Sequence, residues 1–265
     1  MAISTNVPFE IILADDKSCE AIRIKNRVLN TLPSCKIIEL EKNCGPAVVR
    51  NILGEQAQYP YLLFIDADTR PVNNDFLSVY LAHAGAYLIC GGFSYLPQKE
   101  HALRYKYGTK VEMQSAETRN RHPYQHFISM NFFLPKTLFL QVRFDETFHF
   151  GYEDADFGRR LKECGIPIQH IENPVWHKVE ENSIAFLDKT RRSVENLSQH
   201  REQLIPYVRL LRWHCTLERF HLVVATAFLF RLFRPFIERI LISKYPNLSL
   251  FAFYKLGYLC QLSSL

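Results

Sequence analysis

The chain is 265 residues long, 48% hydrophobic and 22% charged, with a net charge of +5. That is enough for one large domain, or one domain with an appendage, to bury its own core, and the composition excludes a mainly disordered chain. Seven cysteines with no Cys-x-x-Cys pair argue against a disulfide framework and a zinc site, and fit a reducing cytoplasm.

The N-terminal residues lack the basic and apolar regions of a secretory signal, so a protein that is not exported is expected. The charge is uneven. Residues 191–265 hold 11 Lys and Arg against 4 Asp and Glu, or +7, which leaves 21 against 23, or −2, for residues 1–190. Such a core speaks against nucleic-acid binding, while the basic tail suits an anionic surface such as phospholipid headgroups.

Residues 9–14 (Phe-Glu-Ile-Ile-Leu-Ala) predict a buried strand that ends in Asp15-Asp16-Lys17-Ser18. Apolar positions 21, 22, 24, 28, 29 and 32 predict a helix packed on the sheet, and residues 35–40 a second strand. This βαβ unit calls for a parallel pair with a right-handed crossover. Asn43-Cys44-Gly45-Pro46 opens the next helix, capped by Asn43 or Gly45, with Val48, Val49, Ile52 and Leu53 on its apolar stripe. Residues 61–65 form a third strand, which stops at Asp66-Ala67-Asp68. Ligands of open α/β sheets bind at the carboxyl ends of strands, so both acidic pairs fall where a site is expected.

Residues 86–93 and 127–134 read as further strands. The polar stretch between them predicts a helix over 99–118 and a mobile loop over 119–125. Residues 153–164 are a helix stopped by Gly165 and Pro167. From residue 183 onward the chain becomes basic and helical, dividing it into residues 1–183 and 184–265. Residues 222–230 are apolar but too short for a span of about 20 residues. With Arg231, Arg234 and Arg239 and a run of phenylalanines (228, 230, 233, 236, 251, 253), residues 204–258 suit a membrane interface. The alternative is a helical appendage packed on the core or on a second subunit.

Carboxylates dominate the candidate chemistry. Asp66 and Asp68 are hard oxygen ligands of the kind that hold a divalent cation on a diphosphate; a strand-end Asx turn is the plain alternative. Asp15 and Asp16 can accept hydrogen bonds from a base edge or a ribose, or simply make a polar loop. Glu153, Asp154 and Asp156 share the first turn of a helix, where they favour the macrodipole or supply a general base for a hydroxyl nucleophile. His177 is either a packed histidine or a further metal ligand.

The order of these segments carries a resemblance. Asp-Asp-x-Ser after a strand is followed by Asn-x-Gly-x-Ala-x-x-x-Asn (43–51) and a strand ending in Asp-x-Asp. Then come Phe-Asp-Glu-x-Phe (144–148), Gly-Tyr-Glu-Asp-Ala-Asp-Phe-Gly-x-Arg-Leu (151–161) and a His. From residue 8 to about 178 this resembles the family 2 glycosyltransferases. The resemblance implies a GT-A-like, Rossmann-like α/β core with a mostly parallel sheet flanked by helices, followed here by the helical basic and aromatic extension.

It also implies roles. Asp15 and Asp16 would contact the nucleotide, Asp66 the ribose or the metal, and Asp68 the Mn2+ or Mg2+ on the diphosphate, with His177 a possible metal ligand. Asp154, with Glu153 next, would be the base of an inverting transfer from a nucleotide-sugar, UDP-linked by resemblance, to a glycan or lipid-linked acceptor. Family members usually place an apolar strand and a helix ahead of the segment that starts here at Val7. A central strand is therefore expected to be missing and a sheet edge open. That departure keeps a non-catalytic nucleotide-sugar-binding or scaffold protein as the second reading. A nucleotidyltransferase would want a Gly-rich phosphate loop after the first strand, and the sequence has none.

Overall fold

The computed structural model describes residues 7–85, 87–96, 103–179 and 181–264. Residues 1–6, Ala86, residues 97–102, Glu180 and Leu265 lie outside them, and with them the leader reading and parts of the strand, connection and helix expected there.

The first βαβ unit forms as its pattern demands. Strands β1 (Ile11–Asp15) and β2 (Cys35–Glu39) run parallel, joined by α1 (Glu20–Arg27) and a 3-10 turn (Val28–Thr31). The helix meets the strands with its charged side rather than its apolar stripe. Arg23 lies 3.4 Å from Asp15 and Arg27 2.6 Å from Glu39, while Ile22, Ile24, Val28 and Leu32 are exposed. The charged side of α1 thus faces the strands, opposite to the face that hydrophobic patterning assigned.

Helix α2 (Pro46–Gln56) starts at Gly45, whose φ of 83° favours glycine, and Pro46 fills a first-turn position that needs no N–H. It leads into β3 (Tyr61–Ile65), which is not hydrogen-bonded to β1. Among the described strands, β3 belongs to a sheet of order β3, β7 (Asn131–Pro135), β5 (Leu88–Cys90), β8 (Ile168–His170). A third sheet has the order β4 (Thr69–Pro71), β9 (Val175–His177), β6 (Phe93–Tyr95), and helix α3 (Phe76–Ala82) follows β4. Among the described strands, the β structure is thus interrupted between β1 and β3.

The architecture is α/β, but its ladders are mixed rather than mostly parallel. Pairs β1–β2, β5–β8 and β6–β9 are parallel, whereas β7 opposes both β3 and β5, and β4 opposes β9. The direction of β7 follows from its approach. The chain leaves the carboxyl end of β5 and re-enters the sheet from that same end, so no crossover reverses it.

Gly91-Gly92, with Gly92 at φ 77°, splits the run at 86–93 into β5 and β6 in different sheets. The helix expected over 99–118 is likewise in pieces: α4 (Leu103–Tyr107), a π turn (Gly108–Glu112) and α5 (Ala116–Arg121), the last capped by Ser115. Helix α5 enters the stretch expected as a mobile loop, and Arg119 pins it. Its buried guanidinium donates to the carbonyls of Gln114 (3.2 Å), Cys90 (3.2 Å) and Ile171 (2.9 Å) and lies 3.0 Å from His170 Nδ1. A planar fork whose donors are met on several sides locks the segment in place.

The main core is aromatic. Phe64, Phe132, Phe139, Phe144 and Phe157 fill the space between the β3–β7–β5–β8 sheet and the helices α2, α6 (Lys136–Val142) and α7 (Glu153–Glu163), with Phe144 stacked on Phe157 at 4.2 Å. Each such burial stabilises by roughly 1.5–3 kcal/mol. A second core joins α8 (Ser183–Gln199), α9 (Arg201–Leu204), α10 (Arg209–Arg219), α11 (Val223–Leu241) and α12 (Leu248–Ser263). Leu103 and Phe148 belong to it too, so the helical region packs directly on the first part. Phe230 and Phe251, expected at an interface, are interior residues. No single helix among the described residues is long and apolar enough to cross a membrane, and α10 and α11 meet at a bend of 116°.

Candidate functional site

Strand β3 delivers Asp66 and Asp68 to the open end of its sheet. Ile65 pairs opposite Asn131, and the Asp66 N–H donates to Met130 O at 3.0 Å. The turn that follows closes on the main-chain carbonyl of Asp66, which accepts from the Thr69 N–H (3.1 Å) and Oγ1 (2.7 Å). Neither carboxylate is used to make that turn, which counts against a purely structural Asx turn. Asp68 Oδ2 lies 3.1 Å from His177 Nε2, because β4 and β9 set Thr69 opposite His177. The His177 hydrogen bond holds the Asp68 carboxyl below its ordinary range.

Asp66 turns to a different partner. Its Oδ1 lies 3.1 Å from one nitrogen of Arg50, and the other nitrogen of that guanidinium is 3.4 Å from Glu153 Oε1. Arg50 also rests over the Phe144 ring, 5.5 Å from its centroid. Its neighbour Asn51 donates to Phe144 O and accepts from the Phe144 N–H, both at 2.9 Å. The 43–51 and 144–148 motifs are therefore two halves of one clamp, and the clamp sets the position of Arg50. Sequence reasoning misses Arg50; the signal was its place directly before the last Asn of the first motif.

Helix α7 brings the second acidic group. Gly151 and Tyr152 take left-handed backbone, φ 77° and 66°, to turn the chain into the helix. Burial pushes the Glu153 carboxyl up to about 7, with the charge of Asp154 adding to the effect and Arg50 opposing it. Burial also raises Asp66, against Arg50 and with the help of Asp154 and Asp68. Asp154 Oδ1 and Glu153 Oε2 are buried with no hydrogen-bond partner among the described residues. Asp156 pairs with Arg159 through its Oδ1 at 2.7 Å, and its Oδ2 is likewise buried with no hydrogen-bond partner among the described residues.

Asp15 and Asp16 stand at the end of β1, and each already has internal work. Asp15 accepts from the Ser18 N–H (2.7 Å) and Asn26 (3.2 Å) and pairs with Arg23. Burial would raise its carboxyl, but these partners hold it below the ordinary range. Asp16 accepts from the N–H groups of Cys44 (2.6 Å) and Gly45 (3.0 Å), fixing the loop ahead of α2. Among the described residues, neither shares a hydrogen bond or ion pair with Asp66, Asp68, Glu153 or Asp154. The structure thus brings Asp66 together with Glu153, and Asp68 with His177, and leaves the β1 pair apart.

A divalent cation fits the second pairing. Asp68 offers a carboxylate oxygen and His177 a ring nitrogen from an adjacent strand, and the buried Nδ1 of His177 has no hydrogen-bond partner among the described residues. No group of three His, Cys, Asp or Glu ligands occurs among the described residues. Two protein ligands suit Mn2+ or Mg2+ that completes its shell with diphosphate oxygens and water, as such cations do at phosphate sites.

A cavity of about 260 Å³ opens nearby, lined among others by Phe93, Tyr107, Glu112, Gln114, His126 and Asn131. Tyr95 links it to the acidic group: its ring centroid is 5.4 Å from that of His177, and its hydroxyl donates to Glu112 at 3.0 Å. Aromatic faces beside a few placed polar groups are the usual make-up of a small-molecule site.

Residues 3–149 match the family model for Glycosyl transferase family 2. The fold is similar to that of GalNAc-T7, crystallised with UDP, GalNAc and Mn2+, at a TM-score of 0.51 and 14% identity over 78% of this chain and 48% of that one. It is similar as well to a mannosyltransferase, PcManGT from Pyrobaculum calidifontis in complex with GDP-Man and Mn2+, at 0.51 and 15% over 76% and 56%. This chain spans about half the length of those structures. No curated protein matches it. The GT-A fold is shared, and since the matched segment exceeds half the chain and contains both Asp15-Asp16 and Asp66-x-Asp68, the chain belongs to glycosyl transferase family 2.

Proposed function

We propose that this protein moves a sugar from a nucleotide-diphosphate donor, UDP-linked in the first instance, to a glycan or lipid-linked acceptor by an inverting single displacement. The observation that carries the reading is the convergence of Asp66, from the end of β3, and Glu153, from the start of α7, on Arg50, with an unpartnered Asp154 oxygen beside them. Family membership, and a fold shared with enzymes crystallised with UDP or GDP-Man and Mn2+, support the donor class.

In the reaction the acceptor hydroxyl oxygen bonds to the anomeric carbon as the bond from that carbon to the diphosphate breaks on the opposite face. The hydroxyl proton passes to a carboxylate. In this reading Asp154 is that base, and the lack of a competing donor to its Oδ1 among the described residues supports the role. Glu153 is the second candidate; raised to about 7, it is part protonated near neutrality and held in place by Arg50. Asp68 and His177 would hold Mn2+ or Mg2+, which when bound offsets the charge of the leaving nucleoside diphosphate. Asp15 and Asp16 would meet the base and ribose by exchanging internal partners for the ligand, and Asp66 would exchange Arg50 for the ribose or the cation. The seven cysteines are all unpaired, which suits a cytoplasmic enzyme.

The test is calorimetric titration with UDP, in Mn2+ and then in EDTA, repeated on Asp68→Ala. Binding that needs both the metal and Asp68 supports the site, and UDP-sugar turnover that stops in Asp154→Asn supports the base. A second reading, a non-catalytic nucleotide-sugar-binding protein, is favoured by the interruption between β1 and β3 and by the internal engagement of Asp15 and Asp16. Metal-dependent UDP binding without turnover of any UDP-sugar would select it.

A further inference from the structure

The C-terminal helices leave one surface without a partner. On α11, Ala227, Phe230, Ile237 and Leu241 are buried against the body of the protein. Gly257 of α12 is what lets Phe230 in, since a Cβ there would stand 2.6 Å from its ring. The opposite face of the same helix is as apolar as the buried one. Val224, Phe228, Leu229, Leu232, Phe233 and Phe236 are all exposed, Phe228 by 65% and Phe236 by 64%. Around the bend, Trp213 of α10 and Phe220 are exposed too. Exposed apolar groups gathered along one face in this way mark an interaction surface rather than the scatter usual on a monomer.

The charges beside that face say what it meets. Arg212, Arg219, Arg231, Arg239 and Lys244 are exposed on or next to it, and none has an ion-pair partner among the described residues. The acidic residues of the region are mostly occupied elsewhere. Glu218 pairs with Arg201, Glu238 with Arg191 and Arg234, and Glu195 accepts from the Tyr258 hydroxyl. A second copy docked on this face by a twofold axis would bring the same unpaired cations again and, among the described residues, no free carboxylate to meet them, since a twofold interface uses the same patch twice. An anionic bilayer supplies the missing negative charge and an apolar layer beneath it, and aromatic side chains favour the boundary between the two.

We infer that the outer face of α11, with the α10 corner, seats the protein in the headgroup layer of an anionic phospholipid bilayer, lying in the interface without crossing it. The seat goes beyond the transferase reading and does not depend on it. Helix α12 takes no part, because Phe251, Tyr254 and Leu259 of that helix point into the core.

Co-sedimentation of the full chain with vesicles tests the surface, using phosphatidylcholine alone or mixed with phosphatidylglycerol, at low and high salt. The protein should pellet with the phosphatidylglycerol vesicles and be released by salt. Phe228→Ser with Phe233→Ser and Phe236→Ser should abolish pelleting while circular dichroism stays unchanged, as these side chains touch solvent. Arg231→Gln with Arg239→Gln should weaken it roughly thirtyfold, from about 1 kcal/mol per basic residue near such a surface. Failure to pellet with either vesicle overturns the inference, as does pelleting indifferent to lipid charge. A dimer in light scattering that the phenylalanine variant dissolves, without vesicle binding, overturns it in favour of a contact between copies. Titration with UDP in the same preparations keeps the transferase reading separate, because vesicle binding needs no donor.

Discussion

Arg50 stands between Asp66 and Glu153, 3.1 Å from the first carboxylate and 3.4 Å from the second, and so joins the end of β3 to the start of α7. One guanidinium fixes the relative position of two acidic segments that the chain separates widely. Replacing it reads out the importance of that link. Arg50→Met should weaken metal-dependent UDP binding at least about tenfold and cost roughly 2 kcal/mol of stability, below the full buried-pair loss because the Asp66 side chain is 37% exposed. Arg50→Lys keeps the charge but not the two-pronged reach, and should recover stability more than binding. Calorimetry and urea unfolding separate the two.

The raised Glu153 carboxyl makes stability depend on pH. Its ordinary value is 4.5 and the folded protein holds it at about 7. Between those values the native state binds more protons than the unfolded one, so this group lowers stability as pH rises through the window. Glu153→Gln removes the effect. The variant should match the wild type near pH 4.5 and gain on it by up to roughly 3 kcal/mol above pH 7, at about 1.4 kcal/mol for each pH unit crossed between the two values. Urea midpoints across that range check the slope; a wild type that gains on the variant with rising pH would contradict it.

Arg119 is a structural cation satisfied by main-chain carbonyls and a histidine ring, with no carboxylate paired to it among the described residues. Arg119→Met should cost about 3 kcal/mol or more, since several buried acceptors lose a charged donor at once. The loss should also loosen residues 119–125, and brief trypsin treatment should then cut within that stretch in the variant before it cuts the wild type.

Much of this was legible in the sequence, for local reasons. The run at 61–65 became β3 over the same residues, and the helix at 153–164 became Glu153–Glu163, because an apolar run and a Gly stop are local signals. The Asp66, Asp68, Glu153, Asp154 and His177 candidates do gather at one end of the fold. What escaped was non-local. The reversed direction of β7 depends on where the chain re-enters the sheet, and on the inward face of α1 Arg23 and Arg27 meet Asp15 and Glu39, partners distant in the sequence. Arg119 lies in a polar stretch where nothing distinguishes a buried arginine from a solvated one.

The interruption between β1 and β3 separates a unit that has little reason to stay closed. Between Val7 and Cys44 only Asp15 is buried, and what ties the unit down is polar: Glu10 accepts from the Gln58 N–H at 2.5 Å, and Asp16 holds the loop before α2. A segment with so few buried apolar contacts opens locally, far more often than the whole protein unfolds. Its amide protons should exchange with deuterium well ahead of those in β3, β5 and β7. If Asp15 and Asp16 receive the nucleotide, UDP with Mn2+ should slow exchange in β1 and β2 above all, and part of the binding energy goes into closing this unit.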